Sequence, residues 1–271
     1  MWCNIVPGLL NVLLDWIFIF PLGMGVEGAA IATSISISIG GFMALGYLLC
    51  RAKDLKLIRL KMSAKSIALA FRNVGYHCRI GSSTLLGELA LAVMFYVGNR
   101  VFMHYLGDTG VGAYGIACYY MPFFFMVGNS IAQSAQPIIS YNYGIDRWTR
   151  IVEARKVLLM TCLGFGVAVS LIFILFPKGL VGLFIPIESE AAIIAINGFP
   201  LLSIGILFFI LNVAIIGYYQ SVERMGKATL YVFLRGFVFI VPCFLILPKF
   251  LGTVGIWLAM PTSELLTSLF I

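Results

Sequence analysis

Long apolar runs separated by short polar breaks make up most of this chain. A helix needs about 20 predominantly apolar residues to cross the hydrocarbon core of a bilayer. Eight segments meet that requirement: 2–20, 26–50, 80–105, 111–139, 154–177, 191–219, 228–248 and 252–271. A closed barrel also satisfies every backbone group without water, but its strands are short and alternate apolar with polar positions. These runs are long and apolar on every side, so they predict helices. The breaks carry turn chemistry, as in Pro21-Leu22-Gly23 and Gly107-Asp108-Thr109-Gly110. The expected fold class is all-α: an integral membrane, polytopic helix bundle of about eight transmembrane helices.

Composition leads to the same place. The 271 residues are 61% hydrophobic and 11% charged, with a mean hydropathy of +1.04. A soluble domain carries roughly 25% charged residues because its outer faces are wet. Too little polar surface exists here to coat the chain in water, so most of it is solvated by lipid. The net charge of +7 raises the question of nucleic acid. The basic residues sit in the breaks, however, and not on a polar face studded with aromatics. That excludes a nucleic-acid partner and points to the anionic cytoplasmic leaflet.

The lysines and arginines also set an orientation. The second break holds eight of them, from Arg51 to Arg79, and the fourth holds Arg147, Arg150, Arg155 and Lys156. The sixth is read as holding Arg224, Lys227 and Arg235. These breaks are expected to face the cytoplasm, in a multi-pass protein of the cell inner (cytoplasmic) membrane. Met1-Trp2-Cys3-Asn4 enters the first apolar run with no basic residue, which is not a signal-peptide pattern. The stretch 51–75 is expected to be a basic cytoplasmic linker. Leu55, Ile58 and Met62 within it suit either a helix lying on the membrane surface or a plain solvated segment.

Several chemistries are excluded. The six cysteines form no C-x-x-C pair and His77 and His104 are isolated, so neither a disulfide framework nor a metal site is expected. No phosphate-binding loop occurs; its nearest approach is Gly226-Lys227-Ala228. Thr253-Val254-Gly255 does not continue as a potassium filter. With no nucleophile–base pair at depth, the chain is expected to be no enzyme and to use no cofactor.

An internal echo suggests a repeat. Leu22-Gly23 followed by Gly28-Ala29-Ala30-Ile31-Ala32 resembles Leu251-Gly252 followed by Gly255-Ile256-Trp257-Leu258-Ala259. Transporters are often built from two such copies. A six-helix unit makes 76–271 one complete lobe and 1–50 the last two helices of another, with about four helices expected ahead of them.

Longer stretches carry a family resemblance. They are Asn11-Val12-Leu13-Leu14-Asp15-Trp16-Ile17-Phe18-Ile19-Phe20, then Gly23-Met24-Gly25-Val26-Glu27-Gly28-Ala29-Ala30-Ile31-Ala32-Thr33. Gln133-Ser134-Ala135-Gln136-Pro137-Ile138-Ile139-Ser140-Tyr141-Asn142-Tyr143-Gly144 and Gly255-Ile256-Trp257-Leu258-Ala259-Met260-Pro261 follow in order. Together they resemble helices five, six, eight and twelve of the MATE (multidrug and toxic compound extrusion) transporters. The resemblance implies an antiporter that exports cationic or amphiphilic small molecules in exchange for H+ or Na+. A lipid-linked oligosaccharide flippase of related topology is the alternative; basic residues deep in the spans favour it, and these spans read as poor in them. An inactive fragment is a third reading.

Ionisable groups within spans are costly and so mark functional candidates. Glu88, in Gly87-Glu88-Leu89, resembles the family's seventh-helix glutamate and is expected to be buried on a cavity-facing side. Glu264 is the other deep acid, with helix packing as its plain alternative. Asn129, Gln133 and Gln136 share one helical face, which in lipid must meet protein or a water-filled cavity. Asn212 and Gln220 do the same in the sixth span, where glue between helices is the alternative. Asp15 is read as making a structural hydrogen bond. Tyr119, Tyr120, Phe123, Phe124 and Tyr218 either stack on flat cations or pack together.

Overall fold

In the computed structural model, residues 2–51 and 63–270 are described, and the described residues form helices and no strand. The elements are α1 (Trp2–Ile19), α2 (Gly25–Cys50), α3 (Ala64–Gly144), α4 (Trp148–Leu175), α5 (Pro177–Gly182), α6 (Glu190–Ser221), α7 (Met225–Phe233), a π-helical segment (Leu234–Phe239) and α8 (Ile240–Phe270).

At 81 residues, α3 is far longer than any bilayer requires, and it divides at Gly107 (φ 65°, ψ −157°). The same happens in α8 at Gly252 (φ 58°, ψ −134°). Among the described residues, splitting α3 and α8 at these glycines and taking α7, the π segment and the first limb of α8 as one run gives eight long helices besides the short α5. The four-residue turn expected at 107–110 therefore shrinks to one residue. A side chain at these angles would clash with its own backbone, whereas glycine adopts them freely, so one glycine redirects the helix. Thr109 is already helical, and its Oγ1 donates to Leu106 O at 3.2 Å across the break. Gly23 and Gly252, paired by the internal echo, both carry a positive φ.

The opposite breaks are built differently. At 144–148 and 221–225 the chain closes each helix with a pair of hydrogen bonds: Asp146 N to Tyr143 O and Arg147 N to Asn142 O, then Glu223 N to Gln220 O and Arg224 N to Tyr219 O. Asp146 (φ 54°) and Glu223 (φ 55°) hold the left-handed position that glycine usually fills in this cap. The linker expected over 51–75 is already helical from Ala64. Its first turn is capped by Ser63, whose Oγ accepts from Ser66 N at 3.2 Å. Leu55, Ile58 and Met62, read as an amphipathic face, lie outside the described residues.

Two compact units are present, Met1–Ala70 and Phe71–Ile271. In the first, α1 and α2 pair closely. Gly28, Ala32 and Ser36 form a buried small-residue stripe on α2, which lets the two backbones approach. Asn11 Nδ2 reaches Thr33 Oγ1 at 3.4 Å. Asp15 departs from expectation: its buried Oδ1 has no hydrogen-bond partner among the described residues.

The second unit is centred on aromatic rings. Phe102 stacks on Tyr114 at 4.5 Å and meets Trp257 edge-on at 5.0 Å. Phe199 continues the chain of rings to Phe173, which touches Tyr120 at 5.1 Å. Tyr120 and Phe124 are thus packing residues. Trp257 fits because Gly198 presents no side chain; a Cβ there would overlap the indole.

Two outcomes are expected. Gly107→Val lowers the melting temperature in detergent, by a loss of about 1–3 kcal/mol, although nothing lies within 4 Å of the added Cβ. A stability unchanged by this substitution would show that the bend does not need glycine. In sealed membranes, a thiol reagent reaches Cys50 and positions 141–150 from the cytoplasmic side alone and positions 107–110 from outside; the reverse pattern overturns the orientation.

Candidate functional site

Within the second unit, both limbs of α3, α6, α7 and the π segment line a cleft of about 180 Å³. Small residues set how closely its walls approach. Gly128 lies against Val213, Gly217 against Ala132, and Gly236 of the π segment against Ala90. Apolar area comes from Phe125, Val213, Ile216 and Val232. Into this frame project Glu88, Asn129, Gln133, Gln136, Gln220 and Arg235.

The polar stripe of α3 thus lines a cavity, with the three amides on the second limb and Glu88 on the first. Gln220 is fixed at the end of α6, where its Nε2 donates to Ser83 Oγ at 2.9 Å. Glu88 differs from the expectation of burial: it is exposed. It lines the cleft, with no hydrogen-bond partner among the described residues.

Asn212 and Glu264 do not join these residues on the cleft wall. They form a buried polar cluster behind it. Glu264, 2% exposed, accepts from Arg235 Nε through Oε1 at 2.7 Å. Its Oε2 accepts from Asn212 Nδ2 at 2.8 Å. Asn212 Nδ2 also approaches Glu264 O at 2.9 Å, and Ser268 Oγ donates to Asn212 Oδ1 at 2.9 Å. Both carboxylate oxygens are therefore engaged, and the charge is neutralised within the protein.

Arg235 is the cleft-lining residue that the sequence reading did not place in the site. Assigned to a cytoplasmic break, it instead lies inside a span, in the π segment, and is 6% exposed. It belongs both to the cleft wall and to the Glu264 cluster, and its guanidinium sits 4.1 Å from the Phe209 ring centroid. The spans are thus not free of deep arginine. The signal was available, because Arg235 falls within the apolar run 228–248, where a charge implies a buried partner. Of the aromatics proposed to stack on substrate, Tyr119 lies against Phe184 at 5.4 Å and Tyr218 against Tyr219 at 5.5 Å, away from the cleft.

The buried pair yields a stability prediction. Arg235→Met alone leaves a carboxylate buried and uncompensated, which costs about 3–5 kcal/mol. Adding Glu264→Gln removes that charge and restores most of the stability, as read by thermal unfolding in detergent. A double variant no more stable than the single one would mean that the pair is not energetically coupled.

Comparison with known proteins places this arrangement in context. The MatE family model matches residues 84–245, a span that contains most of the cleft. The multidrug export protein MepA of Staphylococcus saprophyticus is 26% identical over 265 residues, covering 96% of this chain and 56% of that protein. MepA of Staphylococcus aureus is 24% identical over 264 residues, with the same coverage. The chain thus spans little more than half the length of these curated relatives. Among solved structures, an outward-facing MATE family transporter of the MOP superfamily superposes with a TM-score of 0.86 at 20% identity, covering 99% of this chain and 59% of that one. A MOP superfamily transporter from Pyrococcus furiosus, described as having a binding pocket of reverse polarity, gives 0.85 at 19% identity, covering 99% and 59%.

Proposed function

Since the chain belongs to the MatE family of multidrug transporters, we propose that its cleft is the binding site of an antiporter that exports cationic, amphiphilic small molecules in exchange for H+ or Na+. The observation that carries this reading is Glu88: an exposed acid that lines a partly apolar cleft together with three amides, with no ion-pair partner among the described residues. Each feature suits a different part of such a ligand. The apolar wall of Phe125, Val213 and Ile216 accepts a flat hydrophobic body, the amides offer adaptable hydrogen bonds, and the carboxylate pairs with a positive charge.

Exchange follows from competition. A proton abolishes the charge of Glu88 and a sodium ion occupies its oxygens, so either excludes a bound organic cation. Such exclusion drives export when the two ligands favour different conformations of the protein. Export then proceeds by alternating exposure of one site to the two sides of the membrane. Glu264 is poorly suited to this exchange, because Arg235 already supplies its counter-charge.

A flippase fits these residues less well. Arg235 is a deep basic residue of the kind that would favour it, but Glu264 neutralises that residue and the curated relatives are multidrug export proteins.

Rhodamine 6G, a permanent cation, tests the proposal on the purified chain by fluorescence polarisation. Bound dye should be released either by acidification or by NaCl at constant ionic strength, with choline chloride as the control, and the effective ion identifies the coupling partner. Glu88→Gln should weaken dye binding by about tenfold or more, the scale of one lost charge-assisted contact, and remove the ion-dependent release. Equal binding and release by the variant would rule out Glu88 as the exchanging group.

A further inference from the structure

Away from the cleft, the first limb of α3 and the break between α6 and α7 border a second recess, of about 440 Å³. Tyr76 and Arg79 come from the limb, and Glu223, Arg224 and Lys227 come from the break and the turn of helix after it. Three cations from two distant stretches of sequence thus line one space, against a single acid. The ion pairs among the described residues are Arg150–Glu153 and Arg235–Glu264, so none of the three is paired. Lys227 Nζ stands 5.7 Å from the Tyr219 ring centroid, which places the ammonium without neutralising it. Folding has therefore gathered like charges whose mutual repulsion falls when an anion enters.

Depth along the helices selects the anion. About 40 Å of helical rise separates Arg79 from the turn at Gly107, and a similar length separates Lys227 from the turn at Gly252. A bilayer with its headgroups is roughly 40–45 Å thick. With the two glycine turns at one interface, the recess lies level with the phospholipid headgroups of the other leaflet, the one that the basic breaks assign to the cytoplasm. Glu223 apart, the polar side chains of the lining are donors: two guanidiniums, an ammonium and the Tyr76 hydroxyl. A phosphodiester suits them, because its free oxygens accept from several donors together and its charge strengthens each bond.

We propose that this recess binds the phosphate of an anionic phospholipid of the cytoplasmic leaflet, held by Arg79, Arg224 and Lys227. A zwitterionic lipid carries the same phosphate, but its own ammonium offsets the charge, so the recess favours a headgroup that is negative overall. The bound headgroup ties the first limb of α3 to the start of α7. Both elements continue into the walls of the cleft: Ser83, one turn beyond Arg79, accepts from Gln220, and Val232 follows Lys227 along α7. The lipid therefore braces two walls of the cleft without entering it.

Native mass spectrometry of the purified chain tests this with phosphatidylglycerol and phosphatidylcholine of identical acyl chains. The parent chain should bind phosphatidylglycerol about tenfold more tightly or better, the scale expected of two or three basic side chains near one headgroup. Arg79→Gln/Arg224→Gln/Lys227→Gln should bring that ratio to about one. The three side chains are exposed, so the variant keeps its fold, which its unfolding temperature in lipid-free detergent checks. Arg147→Gln/Arg150→Gln/Lys156→Gln removes the same charge around the break between α3 and α4, and should leave the ratio within about twofold of the parent, because distant exposed charges are screened. Equal losses in the two triple variants would reveal general attraction to the leaflet and overturn the recess as a site. A parent chain that binds both lipids equally overturns it too. Millimolar inorganic phosphate should leave the lipid bound; displacement by it would mean that the recess takes soluble phosphate, and the lipid assignment fails.

Discussion

A carboxylate near the middle of a lipid-embedded span has to be answered from within the protein, and the answer to Glu264 organises the second unit. Isolated in hydrocarbon, an ionised acid costs several kcal/mol even after relaxation. Here one oxygen is taken by Arg235 of the π segment and the other by Asn212 of α6, so one side chain ties together three separate helical elements. Ser268, one turn beyond Glu264, closes the cluster by donating to Asn212. The pair cannot be loosened from one side only, because either residue left alone is a buried charge. That constraint fixes the register of the π segment against the last limb of α8. Through the contact of Gly236 with Ala90, it also sets where the first limb of α3 lies.

The same shortage of water explains how the chain turns. Any backbone group left unpaired within the hydrocarbon is one that lipid cannot satisfy. Two breaks on one side of the bundle, at Gly107 and Gly252, spend a single residue. On the other side, the breaks at Asp146 and Glu223 use a hydrogen-bonded cap followed by an arginine. The second design keeps backbone groups paired while placing an acidic and a basic side chain outside the helix. Those two breaks, with the one over 51–79, carry the positive charge used to orient the chain.

Much of the architecture was legible because lipid imposes simple rules on sequence. Apolar runs of the right length gave the spans, and the spacing of Asn129, Gln133 and Gln136 placed them on one face that lines the cleft. Two things were not legible. A helix that resumes one residue after a break looks, in sequence, like a longer turn, because Asp108, Thr109 and Gly110 have turn-like composition yet are held in helix by the backbone of α3. Arg235 was misplaced for a related reason. Its nearness in sequence to Arg224 and Lys227 suggests a break, whereas burial depends on depth along the helix. At ten residues beyond Met225, roughly 15 Å of helical rise, Arg235 lies near the middle of its span. No sequence periodicity announces a π segment. A charge inside an apolar run does announce a partner, and Glu264 was the deep acid available to it.

Glu88 and Glu264 are therefore not equivalent, although sequence alone presents both as intramembrane carboxylates. Exchange of one ligand for another requires a site whose charge can be met in turn by different species, at small cost each time. Glu264 fails that requirement: its counter-charge is covalently part of the chain, and displacing it would leave a buried guanidinium uncompensated. Glu88 meets it, since it is exposed in the cleft, has no ion-pair partner among the described residues, and can be satisfied by water, an ion or an organic cation, while Arg235 on the same wall is paired with Glu264. A fixed pair and a free charge in one cavity divide the work. The fixed pair holds the shape of the cleft and the orientation of Arg235 while the state of Glu88 changes, so the occupancy of the exchanging group can alter without loss of the frame that surrounds it.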